Sequence, residues 1–361
     1  MSSKTNLRVY LLTVLILIIC VAGNAKADYI FGTPTNLGAP VNYSSDLDGE
    51  PSISADGLSL YFVSIRPGGQ GSGDIWVTTR AAVSDPWGEP ENLGPAVNSS
   101  AWDGEPSISS DGLSLYFGSQ RAGGYGGADL WVTTRATVSD PWGEAVNLGP
   151  TINTPVDDVD VCISADGLSL YIDSFREGGY GSSDIWVSKR ETLSDPWSEP
   201  INLGPTINTN GESAPSISAD GLVLFFSDFF GPRTGGYGEY DLWMARRASV
   251  SDPWGEPMNL GPAINTSAWE LHPNISADGS TLYFTGGPDL WQVSIDPIVD
   301  LNNDGIVDSA DICIIVDNWG TDNSLCDIGP MPWGDGIVDV QDLIVLSEHL
   351  FEEIPPVEPI E

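Results

Sequence analysis

Hydrophobic and polar residues alternate in short runs through the central part of the chain, without the three- and four-residue apolar spacing of helices. In one typical segment, residues 106–109 form a short run, Asp111-Gly112 follows, and an apolar and aromatic run occupies residues 113–117. This pattern predicts two short antiparallel strands joined by a tight turn. A glycine-rich loop, a third run at residues 129–134 and an Asp-Pro-Trp-Gly turn at residues 140–143 come next. Each such segment therefore predicts a unit of four short strands.

This segment of about 55 residues is repeated almost five times. Each copy begins with Asn-Leu-Gly and carries Ser-x-Asp-Gly in its middle. The copies begin at Asn36, Asn92, Asn147, Asn202 and Asn259. Self-similarity at this period is typical of propellers and solenoids, and four strands per copy without helical periodicity favour propeller blades.

The two ends of the repeat region complement each other. The fifth copy stops after residues 289–294 and lacks the Asp-Pro-Trp-Gly strand. Residues 31–38, which precede the first copy, match residues 87–94 in the pattern aromatic-Gly-x-Pro-x-Asn-Leu-Gly. Because an open sheet edge invites aggregation, we expect the N-terminal strand to complete the last blade. The sequence thus predicts an all-β, five-bladed propeller over residues 28–296.

Residues 300–311 place oxygen-bearing side chains at positions 1, 3, 5, 9 and 12 of a loop, with Gly305 at position 6. This spacing is typical of an EF-hand-type calcium loop, in which a backbone carbonyl supplies the seventh-position ligand. The predicted Ca²⁺ ligands are Asp300, Asn302, Asp304, Ile306, Asp308 and Asp311.

A second half-motif follows, because residues 336–342 repeat residues 305–311 and each copy precedes an apolar, helix-like stretch. The additional predicted ligands are Asp335, Asp339 and Asp342. Counting back from Asp335 puts Met331 and Trp333 where oxygen ligands belong. In the alternative register Asp327 is the first ligand and residues 329–332 are an insertion, and the sequence leaves both registers open.

The repeats resemble the WD40-like repeat of TolB-type propellers, whose blades carry Ser-x-Asp-Gly, a Leu-x-Phe or Leu-x-Tyr strand and then Asp-Ile-Trp. The resemblance covers residues 29–294. It implies a binding platform and no shared reaction, and the count of five blades departs from the six of TolB itself.

The two calcium half-motifs, over residues 296–353, resemble a type I dockerin. That resemblance implies a small α-helical calcium-binding module that docks onto a protein partner such as a cohesin-like domain. In dockerins, loop positions 10 and 11 meet the partner. These positions correspond here to Ser309, Ala310, Val340 and Gln341.

The chain has 13 Lys and Arg residues against 51 Asp and Glu residues, a net charge of −38. Such a surface repels nucleic acid and attracts divalent cations. The N-terminus combines Lys4 and Arg8 with an apolar run at residues 9–21 and Ala25-Lys26-Ala27. This predicts a signal peptide at residues 1–27, whose apolar run is too short to span a bilayer comfortably.

We therefore expect a secreted protein, extracellular or at the cell surface, with the periplasm as the alternative. The predicted order is a signal peptide at 1–27, the propeller at 28–296, the dockerin-like domain at 297–353 and a disordered tail at 354–361. Cys313 and Cys326 could form a disulfide in an oxidising compartment, which their spacing alone does not decide.

A candidate site emerges when the five copies are aligned, because the loop that enters each first strand carries a carboxylate at one equivalent position. These residues are Asp48, Asp103, Asp158, Glu212 and Glu270. Two residues later stand Glu50, Glu105, Asp160, Ala214 and His272. We predict a ring at the channel mouth that binds a cation or hydroxyl groups, with Trp102 and Trp269 placed to stack on a sugar. Alternatively, these acids cap turns and bond to the strand below.

Three functions fit these observations. The first is a non-enzymatic binding or scaffold protein whose propeller face holds an extracellular glycan or protein. The second is a glycoside hydrolase, which needs two non-equivalent carboxylates beside the scissile bond. The acids here mostly obey the repeat, and the main departures are Asp158-Val159-Asp160, Glu212 with Ala214, and His272. The third is a structural repeat protein without a small ligand.

Overall fold

The computed structural model describes residues 29–43, 47–229, 233–302, 304–321, 323, 325–329 and 337–353. The predicted signal peptide, Asp335 and the predicted tail lie outside these residues. The chain divides into two units, one of which is Phe31–Asp296 and the other of which includes Pro297–Glu361. None of the helices among the described residues is long and apolar enough to cross a membrane.

The larger unit is a five-bladed propeller of antiparallel sheets, as predicted. The first blade consists of Asp48–Ile53, Ser59–Ser64, Asp74–Thr79 and Glu91–Asn92. The second consists of Asp103–Ile108, Ser114–Ser119, Asp129–Thr134 and Val146–Asn147. The third consists of Asp158–Ile163, Ser169–Ser174, Asp184–Lys189 and Ile201–Asn202. The fourth consists of Glu212–Ile217, Val223–Asp228, Leu242–Arg246 and Met258–Asn259.

The fifth blade combines both ends of the repeat region. It contains Glu270–Ile275, Thr281–Gly286 and Asp289–Pro297, together with Tyr29–Phe31 and Thr35–Asn36. Thr35 pairs with Gln292 and Asn36 with Trp291 in antiparallel register. The first strands of successive blades contact one another around the ring, including the fifth against the first. The predicted closure by the N-terminal strand is thereby confirmed.

The two sequence signatures of the repeat each fix a turn by side-chain hydrogen bonds. In Asn-Leu-Gly, Asn92 Oδ1 accepts from the backbone N–H of Gly94 at 2.9 Å and from Asn98 Nδ2 at 3.0 Å. In Ser-x-Asp-Gly, the Ser54 hydroxyl donates to Asp56 Oδ1 at 2.6 Å, and the following Gly57 has a φ of 69°, which favours glycine. Both signatures therefore recur in every blade at positions where a side chain fixes the backbone of a turn.

Neighbouring blades are joined by apolar packing and by stacked arginines. Phe117 and Trp131 of the second blade pack with Val63 of the first in one buried cluster. Arg135 lies over the Trp142 ring at 4.2 Å and donates to the hydroxyl of Tyr61 on the first blade at 3.3 Å. Equivalent stacks recur at Arg80, Arg190 and Arg247.

The C-terminal unit contains two short helices among its described residues, α1 (Ser309–Asp317) and α2 (Val340–Glu348). Each begins with a capping box, formed by Asp308 with Asp311 and by Asp339 with Asp342. A buried apolar cluster that includes Ile315 and Leu346 holds the module together. Cys313 is exposed and Cys326 is buried, and both are free thiols in this structure.

Candidate functional site

The structure places the five predicted mouth carboxylates inside the blades, where they are 0–3% exposed. Four of them form ion pairs of 2.5–2.7 Å with an arginine of the same blade. We call these four the arginine-paired ring. The pairs are Asp48–Arg66, Asp103–Arg121, Asp158–Arg176 and Glu212–Arg233. The fifth carboxylate, Glu270, instead accepts from the Thr266 hydroxyl at 2.6 Å.

Each of these carboxylates also fixes the loop that precedes it. Asp103 Oδ1 accepts from Arg121 and from the Ser119 hydroxyl at 2.5 Å, while its Oδ2 accepts from the backbone N–H of Ser99 at 2.5 Å. The Arg121 guanidinium lies 5.0 Å from the Trp131 ring centre. The carboxylate oxygens are thus occupied by partners within their own blade.

A second ring lies two residues further along the same strands and faces the channel. We call it the channel ring, and it consists of Glu50, Glu105, Asp160, Ala214 and His272. These side chains surround a cavity of about 30 Å³. All of them except Asp160 have φ between 50° and 56°, at a bulge where the register between the first two strands shifts. This left-handed conformation is uncommon for residues other than glycine and is associated with functional sites.

The channel ring has no arginine partner among the described residues. Glu50 Oε2 accepts from the backbone N–H of Glu105 at 2.7 Å, and Asp160 Oδ2 accepts from that of Ala214 at 3.1 Å. Burial raises the pKa of Glu50 and, together with nearby carboxylates, raises the pKa of Glu105 well above its ordinary value. Burial, together with its interaction with Asp160, also raises the pKa of Asp173 well above its ordinary value.

His272 completes this cluster from the fifth blade. Its Nε2 lies 3.6 Å from Asp160 Oδ1. Its Nδ1 is buried and has no hydrogen-bond partner among the described residues. One ligand atom each from Glu50, Glu105 and His272 lie within 4.8 Å of one another. This arrangement can hold a metal ion.

The two predicted stacking tryptophans are half-buried. The Trp102 ring rests on Gly73, where an added Cβ would lie 2.4 Å from the ring. Trp269 forms an isolated bridge with Tyr240. Both residues therefore lie at junctions between blades, and each is only partly open to solvent.

Sequence reasoning aligned the channel ring but selected only His272 from it, and it missed Asp173. The sequence does contain candidate partners for these carboxylates. An arginine follows 18 residues after Asp48, Asp103 and Asp158, in the pattern Ser-x-Arg. The same arginine follows 16 residues after the channel-ring residue of each of these three blades, so its spacing does not show which of the two rings it neutralises.

In the first C-terminal loop the predicted ligand residues lie together. Asp300 accepts from the backbone N–H groups of Asp304 and Gly305 at 3.1 and 2.8 Å. Asp311, fully buried, accepts from the N–H groups of Leu301, Asn302 and Asp308 at 2.8–3.2 Å. The exposed Asn302 and Asp304 side chains contact each other at 2.9 Å. Ile306 and Asp308 lie in the same loop.

The second half reproduces this bonding with a different spacing. Asp342, also fully buried, accepts from the N–H groups of Ile328, Gly329 and Asp339 at 2.6–2.8 Å. Ile328 and Gly329 thus take the places of Leu301 and Asn302, which makes Asp327 equivalent to Asp300. This equivalence favours the register in which Asp327 is the first ligand and an insertion follows. Residues 330–336 of this loop lie outside the described ones.

A larger cavity of about 380 Å³ opens between the second and third blades, at the ends of the first strands away from the channel mouth. Its lining includes Asp111 and Asp166, the aspartates of two Ser-x-Asp-Gly turns. Both accept from their turn serine at 2.6 Å, as their equivalents do in the other blades. These carboxylates therefore serve the turns of the repeat.

No protein-family model matches this chain, and the comparison with curated proteins finds no match either. Solved structures with a similar fold include TolB from Acinetobacter baumannii, with 16% identity, a TM-score of 0.45, and coverage of 74% of this chain and 64% of that one. The chain thus spans less than two thirds of that TolB structure. A thermostable family-43 glycoside hydrolase has 14% identity, a TM-score of 0.47, and coverage of 72% and 91%.

The α-L-arabinofuranosidase from Podospora anserina has 13% identity, a TM-score of 0.48, and coverage of 75% and 98%. The fold neighbours therefore include TolB-type propellers and glycoside hydrolases. At these identities the likeness concerns the propeller fold and carries no activity over to this chain.

Proposed function

We propose that this chain is a secreted, non-enzymatic binding or scaffold protein whose C-terminal module binds Ca²⁺ and docks onto a protein partner such as a cohesin-like domain. The observation that carries the proposal is the duplicated loop and helix. Asp311 and Asp342 are fully buried, and each accepts three backbone N–H groups from equivalent places. In this proposal, that bonding orders the loops so that their oxygen ligands can be directed at a hard cation.

Within this proposal the propeller is the binding platform for an extracellular glycan or protein. Tyr125, Tyr180 and Tyr237 project from equivalent loops on three successive blades and are about half exposed. Gly126, beside Tyr125, approaches the carbonyl of Val156 so closely that a Cβ would lie 2.2 Å away. Val156 lies in the loop that enters the first strand of the third blade at the channel mouth. The tyrosine-bearing loops are therefore on the same face as that mouth. Exposed aromatic rings with a polar edge are well suited to contact sugars or protein surfaces.

The channel does not favour the hydrolase alternative. Its cavity of about 30 Å³ has room for an ion and a water, whereas pockets for small organic ligands have about 300–1,000 Å³. The two aspartates at the larger cavity serve the turns of the repeat. A pair of carboxylates free to act as acid and base beside a sugar-sized cavity is therefore not found among the described residues.

Calcium titration of the mature chain by calorimetry tests the first part of the proposal. Asp304→Ala removes an exposed predicted ligand, so we expect calcium affinity to fall at least about tenfold. Asp317→Asn, at an exposed position in the last turn of α1, is the matched control and should leave affinity unchanged. Absence of calcium binding in the wild type, or equal binding by Asp304→Ala, would contradict the proposal.

Docking is tested separately by surface plasmon resonance against an immobilised type I cohesin domain, with calcium and with EGTA. We expect binding that requires calcium and is weakened by Asp304→Ala. Calcium binding without cohesin binding would retain the metal site and exclude this partner class.

A further inference from the structure

We propose that Glu50, Glu105 and His272 bind one divalent transition-metal ion, such as Mn²⁺ or Zn²⁺, at the mouth of the propeller channel. The three residues belong to the first, second and fifth blades, which are consecutive around the closed ring. Their ligand atoms lie within 4.8 Å of one another, so side-chain movements of a few tenths of an ångström or more would let one ion bond all three at about 2.0–2.2 Å. This site is distinct from the C-terminal calcium loops.

The carboxylates that line the channel carry negative charge that no arginine or lysine side chain among the described residues neutralises. Glu50 is 7% exposed and the Asp160 side chain 8%, yet neither has an arginine or lysine partner among the described residues. Buried carboxylates are costly unless they are paired, protonated or bound to metal. The four arginines on this side of the blades are already paired to the neighbouring ring of carboxylates.

Prolines reduce the number of hydrogen-bond donors in the channel wall. The residue that follows the channel-ring position is proline in four of the five blades. These prolines are Pro51, Pro106, Pro215 and Pro273. Because proline has no backbone N–H, this level of the wall presents mainly acceptor oxygens to the cavity. A metal ion satisfies several acceptors at once.

His272 provides an independent observation that points to a ligand. Its Nε2 faces Asp160 Oδ1 at 3.6 Å, and its Nδ1 is buried and has no hydrogen-bond partner in the part of the chain that the structure describes. A metal-bound histidine usually directs its other ring nitrogen at a carboxylate, which fixes the orientation of the ring. We therefore assign Nδ1 as the metal ligand and Asp160 as the residue that positions the imidazole.

The donor set indicates the class of ion. Imidazole with two carboxylates suits Zn²⁺ or Mn²⁺, whereas Ca²⁺ prefers oxygen ligands alone. The fourth blade contributes only the methyl group of Ala214 to the ring. The cavity of about 30 Å³ leaves room for water beside the ion, which gives the site an open coordination position.

The test is titration of Mn²⁺ and Zn²⁺ into the untagged mature chain, with excess calcium present to fill the C-terminal loops. The sequence has two histidines, so His349→Asn is the matched control for His272→Asn. Loss of an outer-shell partner alone costs about 10–100-fold in affinity, so His272→Asn should cost at least about 100-fold. His349→Asn should bind like the wild type, and Glu105→Gln should lose at least about tenfold.

A spectroscopic measurement covers the case in which His272→Asn does not fold. In the His349→Asn chain, His272 is the one remaining histidine. Electron spin-echo modulation of bound Mn²⁺ should therefore show imidazole nitrogen coupling from His272. Absence of that coupling, or equal affinity for Mn²⁺ and Zn²⁺ in all three variants, would overturn the proposal. Neither result depends on whether the C-terminal loops bind calcium.

Discussion

The arginine-paired ring and the channel ring lie two residues apart in the same strands, yet they have different chemistry. In the former, four acids repeat from blade to blade and each has an arginine within 2.7 Å. In the latter, the five positions carry Glu, Glu, Asp, Ala and His without an arginine among the described residues. Residues that follow the symmetry of the repeat thus form ion pairs within the blades, whereas the channel ring, which breaks it, is where we propose that a metal ion binds.

The largest effect should come from Asp103→Ala. Asp103 is fully buried and pairs with Arg121, whose side chain is only 14% exposed and would lose its compensating carboxylate. Removal of one partner of a buried ion pair costs about 3–5 kcal/mol, so the free energy of unfolding should fall by that amount. Urea denaturation followed by tryptophan fluorescence measures it.

Glu105→Gln is the matched comparison for that experiment, because Glu105 lies two residues away and has no arginine partner within the described ranges. Removal of a negative charge from an uncompensated cluster should change the free energy of unfolding by no more than about 1 kcal/mol in the presence of EDTA. Similar losses in both variants would show that the two rings do not differ as described.

A smaller effect concerns pH. Burial raises the pKa of Asp173 well above its ordinary value of 3.8. The stability that the folded chain gains from this shift is therefore fully present below pH 3.8. This contribution is lost as the pH rises through the raised pKa. Asp173→Asn should therefore be more stable than the wild type at pH 7, on the order of 1 kcal/mol, and this advantage should shrink toward pH 4. Urea denaturation at several pH values in EDTA measures the difference.

Asp56→Asn should show the opposite pH dependence of stability from Asp173→Asn, because the pKa of Asp56 is lowered and that of Asp173 is raised. The hydroxyl of Ser54 lowers the pKa of Asp56, so its contribution is present above pH 3.8 and is lost as the pH falls. A wild-type advantage over Asp56→Asn should accordingly shrink in acid. The same pH trend in both variants would contradict the assigned cause of the Asp173 shift.

Much of the fold was accessible from the sequence because the repeat specifies local hydrogen bonds. Asn92 and Asp56 act within a few residues of their own positions, so their spacing shows their role. The closing strand was predictable because residues 31–38 replace a segment that the fifth copy lacks. These predictions needed no knowledge of distant contacts.

The site was less accessible because it depends on contacts between distant residues. Whether Asp48 faces solvent depends on Arg66, and the contact of Asp160 with His272 spans two blades. The left-handed φ of Glu105 and His272, which accompanies the channel bulge, leaves no signature in residue type. The equivalence of Asp327 and Asp300 likewise became clear only from the amides bound by Asp342 and Asp311.

The most direct test of the contrast between the two rings is an anomalous-difference map from a crystal of the mature chain soaked in Mn²⁺. The account predicts a peak on the channel side of the blades, about 2.0–2.3 Å from His272 Nδ1 and from carboxylate oxygens of Glu50 and Glu105. A map with peaks only in the loop at residues 300–311, or beside the arginine-paired ring, would contradict it.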